Sequence, residues 1–95
     1  MTNFGFAIQR ALKLGPNNEA EMFWPENQYA RSQDLEAAYH DAGQFYWGTT
    51  EAWLAGASLY GEHSLAYTIP RNSVQDIDTI EDWVFAEYLY ELKLR

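Results

Sequence analysis

The chain has 95 residues, enough for one small domain and too few for two hydrophobic cores, since domains commonly hold ~100–150 residues. Its 14 Asp and Glu against 6 Lys and Arg give a net charge of −8, which disfavours a phosphate-neutralising surface for nucleic acid. The absence of cysteine excludes disulfides, cysteine-ligated zinc and thiol nucleophiles. No stretch approaches the ~18 apolar residues of a membrane span, so we expect a cytoplasmic protein that does not contact membranes.

The first forty residues contain the signals of a hairpin. Residues 3–14 carry apolar side chains at spacings that fit either a short strand or one helical turn. The segment Gly15–Asn18 is a dense turn signal, and the apolar cluster Met22–Trp24 ends at Pro25. We therefore predict two short strands around a turn. Residues 31–40 indicate a helical turn or an ordered loop.

The middle of the chain predicts a strand followed by a short helix. The segment Gln44–Trp47 is aromatic and lies between two glycines, which is typical of a buried strand. Either Thr49 or Thr50 can cap a helix over residues 51–55, because a threonine hydroxyl accepts a hydrogen bond from a free N–H of the first turn. Gly56 ends this helix.

The last thirty residues predict two strands and the clearest helix of the chain. Residues 65–69 and 74–78 alternate in the manner of strands. The segment Thr79–Asp82 has the layout of a capping box, with Asp in place of the usual Glu or Gln, and predicts a helix from about residue 80 to 94. That helix is apolar on two sides, which indicates that it packs against a second subunit or another domain.

One motif carries candidate metal chemistry. On a strand, Asp76 and Asp78 would share a face at ~6.6 Å of rise, so that both carboxylates could lean toward one cation. Mg²⁺ prefers oxygen ligands and is usually held by one or two carboxylates together with substrate phosphates. The alternative is a solvated strand end at which Asp78 or Thr79 caps the following helix.

Three strings of the sequence, in order, resemble the C-terminal half of the bacterial CMP-nonulosonic acid synthetases. They are residues 31–48 (RSQDLEAAYHDAGQFYWG), 74–79 (VQDIDT) and 81–83 (EDW). Residues 8–12 and 21–23 also resemble the branch that activates pseudaminic acid for flagellin glycosylation. The resemblance covers nearly the whole chain, and an ordered set of strings is more specific than an isolated Asp-x-Asp.

The resemblance implies an α/β nucleotidyltransferase fold, which as an isolated fragment is α+β. It would comprise the C-terminal part of a mixed sheet, a dimerisation extension and a C-terminal helix. The chain is then one partial domain, with a sugar-binding segment at 1–48, the dimerisation extension at 49–70, and a metal-binding strand and helix at 71–95. The implied enzyme is a homodimer in which a hydroxyl of a pseudaminic or sialic-type acid attacks the α-phosphate of CTP.

The resemblance also implies roles for individual residues. Asp76 and Asp78 match the family's catalytic, Mg²⁺-binding pair. Arg31 matches an arginine near the sugar acid, and its planar fork suits a carboxylate. Tyr46 matches a tyrosine that contacts the sugar, and Gln33 could bond to sugar hydroxyls.

Two further substrate contacts are implied in the dimerisation extension, where Leu59 and Tyr60 match an apolar pair that reaches the sugar pocket of the partner subunit. From the residues alone, other roles stay open. Arg31 could form a surface ion pair with Asp34 or Glu36, and Tyr46 could belong to the core.

The chain departs from this family in one respect: it has no Gly- and basic-rich loop of the kind that cradles CTP. We therefore expect CTP to bind only together with a missing N-terminal half, and these 95 residues alone not to turn over CTP. Two other functions remain open, a non-catalytic homodimerisation module and a carbohydrate-binding domain without a metal role.

Overall fold

A computed structural model of residues 1–95 has an α+β organisation with small sheets and two α-helices. It contains two compact units, one of residues 3–40 and the other of residues 1–2 with 41–95. The division after His40 falls inside the predicted sugar-binding segment, and the single partial domain stays a prediction. Two strands hold only two residues each, β1 (Thr2–Asn3) and β4 (Tyr39–His40).

The unit of residues 3–40 is built on the predicted hairpin. Strands β2 (Leu12–Leu14) and β3 (Ala20–Met22) pair antiparallel, with Lys13 opposite Glu21. Between them the chain reverses through Asn18, which has a φ of 65°, a left-handed conformation that asparagine tolerates better than most residues. The paired strands confirm the hairpin prediction, which rested on a turn signal between two apolar runs.

The rest of this unit consists of single 3₁₀ turns at Ile8–Arg10, Pro25–Asn27 and Ser32–Asp34. Residues 3–14, which fitted either a helical turn or a strand, contain both in succession. The turn at Ser32–Asp34 confirms the expected helical turn or ordered loop over residues 31–40.

In the second unit, helix α1 (Thr50–Leu54) forms where it was predicted. The Thr49 hydroxyl accepts a hydrogen bond from the Ala52 N–H at 3.1 Å, which satisfies a first-turn donor that the helix itself cannot pair. Gly56 follows the helix with a φ of 67°, the left-handed conformation in which glycine has no Cβ penalty.

Helix α2 (Ile80–Lys93) also begins where the capping box predicted. The Thr79 hydroxyl accepts from the Asp82 N–H at 3.1 Å, and the Asp82 carboxylate accepts from the Thr79 N–H at 3.0 Å. Aspartate is therefore long enough to complete the reciprocal pair usually made by glutamate. Neither α2 nor α1 is long and apolar enough to span a membrane.

Three predicted strands are wrong: residues 44–47, 65–69 and 74–78 have no regular secondary structure. A strand needs the N–H and C=O groups of a neighbouring strand, and these segments have no strand partner. The burial predicted for residues 44–47 is also absent, since Phe45 is 59% and Trp47 is 85% exposed. Aromatic and β-branched residues favour strands by fitting a half-buried sheet, and that preference has no effect without the sheet.

Very few side chains are buried. The buried residues are Thr2, Ala42 and Val74, and the large apolar side chains on both sides of α2 stay exposed, with Trp83 at 56% and Phe85 at 51%. Burying one large apolar side chain contributes roughly 1.5–3 kcal/mol. Packing of another surface against these exposed side chains would therefore be favourable. The two apolar sides that the sequence predicted for this helix are therefore both open in the chain.

Candidate functional site

The carboxylate of Asp41 accepts hydrogen bonds from the hydroxyls of two tyrosines. Both Tyr46 and Tyr60 donate a hydrogen bond to its Oδ2, the second at 3.1 Å. The N–H of Gly43 donates to the other oxygen, Oδ1, at 2.9 Å. Two predicted substrate-binding residues are thus brought together by an aspartate to which the sequence analysis gave no role.

Local backbone geometry explains why this carboxylate is well placed. Asp41 bonds to the N–H two residues onward, a turn that aspartate side chains favour. Gly43 then adopts a φ of +68°, which a residue with a Cβ would take only with strain. A Cβ at position 43 would also lie 3.6 Å from an oxygen of Asp76, so the Asp76 carboxylate stands beside this turn.

The hydrogen bonds move the pKa values of Asp41 and Tyr46 further from neutral pH. The Tyr46 hydroxyl and then the Gly43 N–H lower the pKa of Asp41 below its ordinary value of 3.8. In return, its hydrogen bond to Asp41, helped by desolvation and by the carboxylate charge, raises the pKa of Tyr46 to about 12. At neutral pH the aspartate is therefore an anion and the phenol keeps its proton.

Two contacts attach the neighbouring segments to Ser73, three residues before Asp76. The side-chain amide of Gln44 donates to the Ser73 carbonyl at 2.8 Å. The ammonium of Lys93, at the end of α2, donates to the Ser73 hydroxyl at 2.6 Å. These bonds hold the chain that follows Gly43, the end of α2 and the approach to Asp76 in one local arrangement.

The predicted metal ligands, Asp76 and Asp78, are both exposed and lie in irregular chain. The two carboxylates were expected to share one face of a strand. Because that strand does not form, their relative position depends on the conformation of the loop. The start of α2 orients the second of them, because the Asp78 N–H donates to the Asp82 carboxylate at 2.9 Å. Thr79 is the helix cap, as the alternative reading of this segment allowed.

These two carboxylates suit Mg²⁺ in their chemistry. No group of three or more His, Cys, Asp or Glu side chains forms a closed cage anywhere in the chain. Mg²⁺ needs no such cage, since it keeps several waters and is commonly held by one or two carboxylates together with substrate phosphates. Two exposed hard oxygen donors fit this mode of binding, and Asp76 and Asp78 remain the predicted ligands.

Arg31 and Gln33 lie in the other unit, next to each other. With the Gln33 amide oxygen turned toward the guanidinium, Arg31 Nε donates to it at 3.1 Å. Both side chains are exposed. These two predicted substrate-binding residues thus contact each other, and the Gln33 amide oxygen accepts from the guanidinium. In the predicted dimerisation extension, Leu59 precedes Tyr60 and is 44% exposed.

Asp41 and Gly43 are the site residues that the sequence analysis missed. The signal was present, because Asp-x-Gly is a turn pattern and Asp41 lies five residues before Tyr46. That pattern can predict the turn. It cannot predict that Tyr60, distant in the sequence, donates to the same oxygen.

Comparison with known proteins shows that the chain is homologous to cytidylyltransferases, which are enzymes of the nucleotidyltransferase class. Its homologues are pseudaminic acid cytidylyltransferases, as the resemblance predicted. It is 50% identical over 91 residues to the protein of that name from Campylobacter jejuni subsp. jejuni serotype O:2, and 48% identical over 91 residues to that of serotype O:23/36.

Each of those alignments covers 96% of this chain and 39% of the relative, so the chain spans about two fifths of the length of these relatives. A third relative, from Helicobacter pylori, is named pseudaminic acid cytidylyltransferase and UDP-2,4-diacetamido-2,4,6-trideoxy-beta-L-altropyranose hydrolase. It is 35% identical over 60 residues, which are 63% of this chain and 12% of the relative. No family model matches the chain.

Proposed function

We propose that this chain forms the sugar-acid-binding and Mg²⁺-binding part of a cytidylyltransferase that transfers CMP from CTP to a pseudaminic-type acid. The observation that carries the proposal is 50% identity over 96% of the chain to a pseudaminic acid cytidylyltransferase. The clustered hydroxyls of Tyr46 and Tyr60 support it, because they form an exposed polar surface suited to a sugar.

In the proposed reaction the residues bind and orient rather than form covalent bonds. The Arg31 guanidinium, oriented by Gln33, can receive the carboxylate of the sugar acid in a bidentate contact. Tyr46 and Tyr60 contact the body of the sugar. Holding the attacking hydroxyl in position supplies the proximity on which phosphoryl-group transfer largely depends.

Asp76 and Asp78 would hold Mg²⁺ in this proposal. The bound ion would neutralise phosphate charge, which matters in a chain of net charge −8 that otherwise repels an anionic nucleotide. The Asp76 carboxylate lies beside the turn at Gly43, and the Asp78 N–H donates to the Asp82 carboxylate at the start of α2. The chain lacks a Gly- and basic-rich loop for the triphosphate, so we expect these 95 residues alone to release no pyrophosphate from CTP.

The proposal is tested by two separate titrations of the ¹⁵N-labelled protein followed by NMR. Pseudaminic acid is expected to shift the signals of Arg31 and Tyr46, and Mg²⁺ those of Asp76 and Asp78. Glucose, which has no carboxylate, serves as the control ligand. Shifts with the sugar acid but none with Mg²⁺ would favour the carbohydrate-binding domain without a metal role. Unchanged spectra in both titrations would refute the proposal.

A second candidate, a non-catalytic homodimerisation module, is favoured by the exposed apolar surface. Leu59 is 44% exposed in the segment predicted to contact a second subunit, and both apolar sides of α2 are uncovered. Sedimentation velocity at high micromolar concentration decides the matter, with Leu59→Ser as the interface variant and Leu14→Ser, at a 73% exposed position of β2 outside the predicted extension, as the control. A monomer under these conditions contradicts this candidate.

A further inference from the structure

We propose that Asp41 is a positioning residue that turns the hydroxyls of Tyr46 and Tyr60 so that their oxygens accept hydrogen bonds from the O–H and N–H groups of the sugar acid. The ligand part of this inference rests on the proposed function. The geometric part concerns the protein alone and can be tested without any ligand.

The argument begins from the number of protons available. A phenol has one O–H, and both Tyr46 and Tyr60 give theirs to the same oxygen of Asp41. The other oxygen accepts from the Gly43 N–H at 2.9 Å, which prevents the carboxylate from rotating freely. With both protons directed inward, each tyrosine oxygen has only lone pairs to offer to a ligand.

The polarity of this surface determines which ligand groups it accepts. Asp41 is an anion at neutral pH, and its charge together with the outward lone pairs makes the surface attractive to hydrogen-bond donors. A carboxylate, which only accepts, would be repelled there. The two tyrosines are therefore expected to recognise hydroxyl or amide N–H groups of the sugar, away from its carboxylate.

Both tyrosines are accessible to a ligand. Tyr46 is 48% exposed and Tyr60 is 74% exposed. An exposed phenol normally samples several hydroxyl orientations, each bonded to water. The contact with Asp41 selects one orientation before the ligand arrives, which reduces the ordering that binding would otherwise require.

The first test uses the ligand-free protein. Tyrosine ring carbons are labelled with ¹³C, and Asp41→Asn is compared with Asp34→Asn, an exposed aspartate of the other unit. We expect the Cζ signals of Tyr46 and Tyr60 to move in Asp41→Asn and to stay in place in Asp34→Asn. Signals that respond equally to both changes, or to neither, would overturn the positioning role.

The second test measures the dissociation constant for pseudaminic acid by calorimetry. Binding is expected to weaken about tenfold in Asp41→Asn, which corresponds to the loss of one or two oriented hydrogen bonds. Glu26→Gln, at an exposed position away from Arg31, should change it little. Tyr46→Phe should weaken binding comparably, with Tyr88→Phe on α2 as its matched control, so the test survives if Asp41→Asn fails to fold. Circular dichroism of each variant verifies folding.

The outcomes separate this inference from the proposed function. If the unaltered protein binds the sugar acid and both Asp41→Asn and Tyr46→Phe bind it equally well, the role of Asp41 is wrong while the proposed function stands. If the unaltered protein does not bind pseudaminic acid although the Tyr46 signal responds to Asp41→Asn, the proposed function and the ligand assignment are overturned together.

Discussion

Tyr46 and Tyr60 donate hydrogen bonds to a single oxygen, Oδ2 of Asp41. One tyrosine lies in a segment that resembles a sugar-binding region and the other in a segment that resembles a dimerisation extension. In this structure both belong to the same chain and to the same cluster. Tyr60, which was expected to reach the sugar pocket of a partner subunit, is therefore hydrogen-bonded within its own chain.

The pair of Asp41 and Tyr46 should appear in an alkaline titration. Because its proton is given to a carboxylate, Tyr46 is expected to lose it only at about pH 12, against an ordinary tyrosine value near ~10. This raised pKa stabilises the folded state below pH ~10, and the contribution is lost as the pH rises toward 12. The ¹³Cζ shift of Tyr46 reports the midpoint.

In Asp41→Asn the same midpoint should fall toward ~10, since the neutral amide no longer holds the proton by charge. Asp34→Asn should leave it near 12. The lowered pKa of Asp41 adds an acid limit, because its stabilising contribution is present above pH 3.8 and is lost as the pH falls through the lower native value. A Tyr46 midpoint near 10 in the unaltered protein would contradict this electrostatic relation.

Gly43→Ala should strain the turn that places Asp41. A residue with a Cβ holds the left-handed conformation of position 43 at a cost of roughly 1–2 kcal/mol, while its Cβ would make only an ordinary contact with the Asp76 carboxylate, at 3.6 Å. Urea unfolding followed by tryptophan fluorescence measures the loss. Gly43→Asn is the matched control for the backbone strain, because asparagine adopts the left-handed conformation more readily than alanine. It should lower the free energy of unfolding by less than Gly43→Ala does. Equal stability of all three proteins would show that the turn is not strained.

Asp78→Asn should weaken divalent-cation binding while preserving the shape of the side chain. Mn²⁺ is a suitable probe because it takes the same oxygen ligands and broadens NMR signals near its site. We expect broadening centred on residues 76–78 that requires a higher Mn²⁺ concentration, by about tenfold, after loss of one charged ligand. Asp34→Asn is the control. Broadening that begins elsewhere on this acidic chain, or that ignores the substitution, would remove Asp78 from the metal site.

Thr79→Ala should destabilise the start of α2. Its hydroxyl accepts from the Asp82 N–H at 3.1 Å, and loss of such a cap costs about 1 kcal/mol. Far-ultraviolet circular dichroism during thermal unfolding gives the measurement, and Thr79→Ser, which keeps the hydroxyl, should behave like the unaltered protein. The Asp78 N–H donates to the carboxylate of Asp82, the residue whose own N–H this hydroxyl fixes, so the alanine variant should also weaken Mn²⁺ binding slightly. A fully helical, equally stable alanine variant would contradict this role of the cap.

The features that sequence reasoning predicted correctly are those whose causes are local. The reversal between β2 and β3, the Thr49 cap of α1 and the capping box of α2 each depend on residues within a few positions of one another. Turn and cap hydrogen bonds are made by neighbouring side chains and N–H groups, so the order of residues is nearly sufficient to specify them.

The predictions that the structure contradicts depended on contacts between segments that are distant in the sequence. Residues 44–47, 65–69 and 74–78 have the composition of strands, but a strand exists only where another strand offers its hydrogen-bonding groups. With the strand over 74–78 absent, Asp76 and Asp78 do not share a strand face. Asp76 instead lies beside Gly43, and the Asp78 N–H donates to the Asp82 carboxylate.

The sequence by itself determined the composition, the local turns and caps, and the homology to pseudaminic acid cytidylyltransferases, because each of these is carried by residue identity and order. Only the tertiary structure decided that the hydroxyls of Tyr46 and Tyr60 meet at Asp41, and that Asp76 stands beside Gly43. Those contacts join residues from separate segments. Their formation depends on how the whole backbone folds in space, for which no pattern within a short window is sufficient.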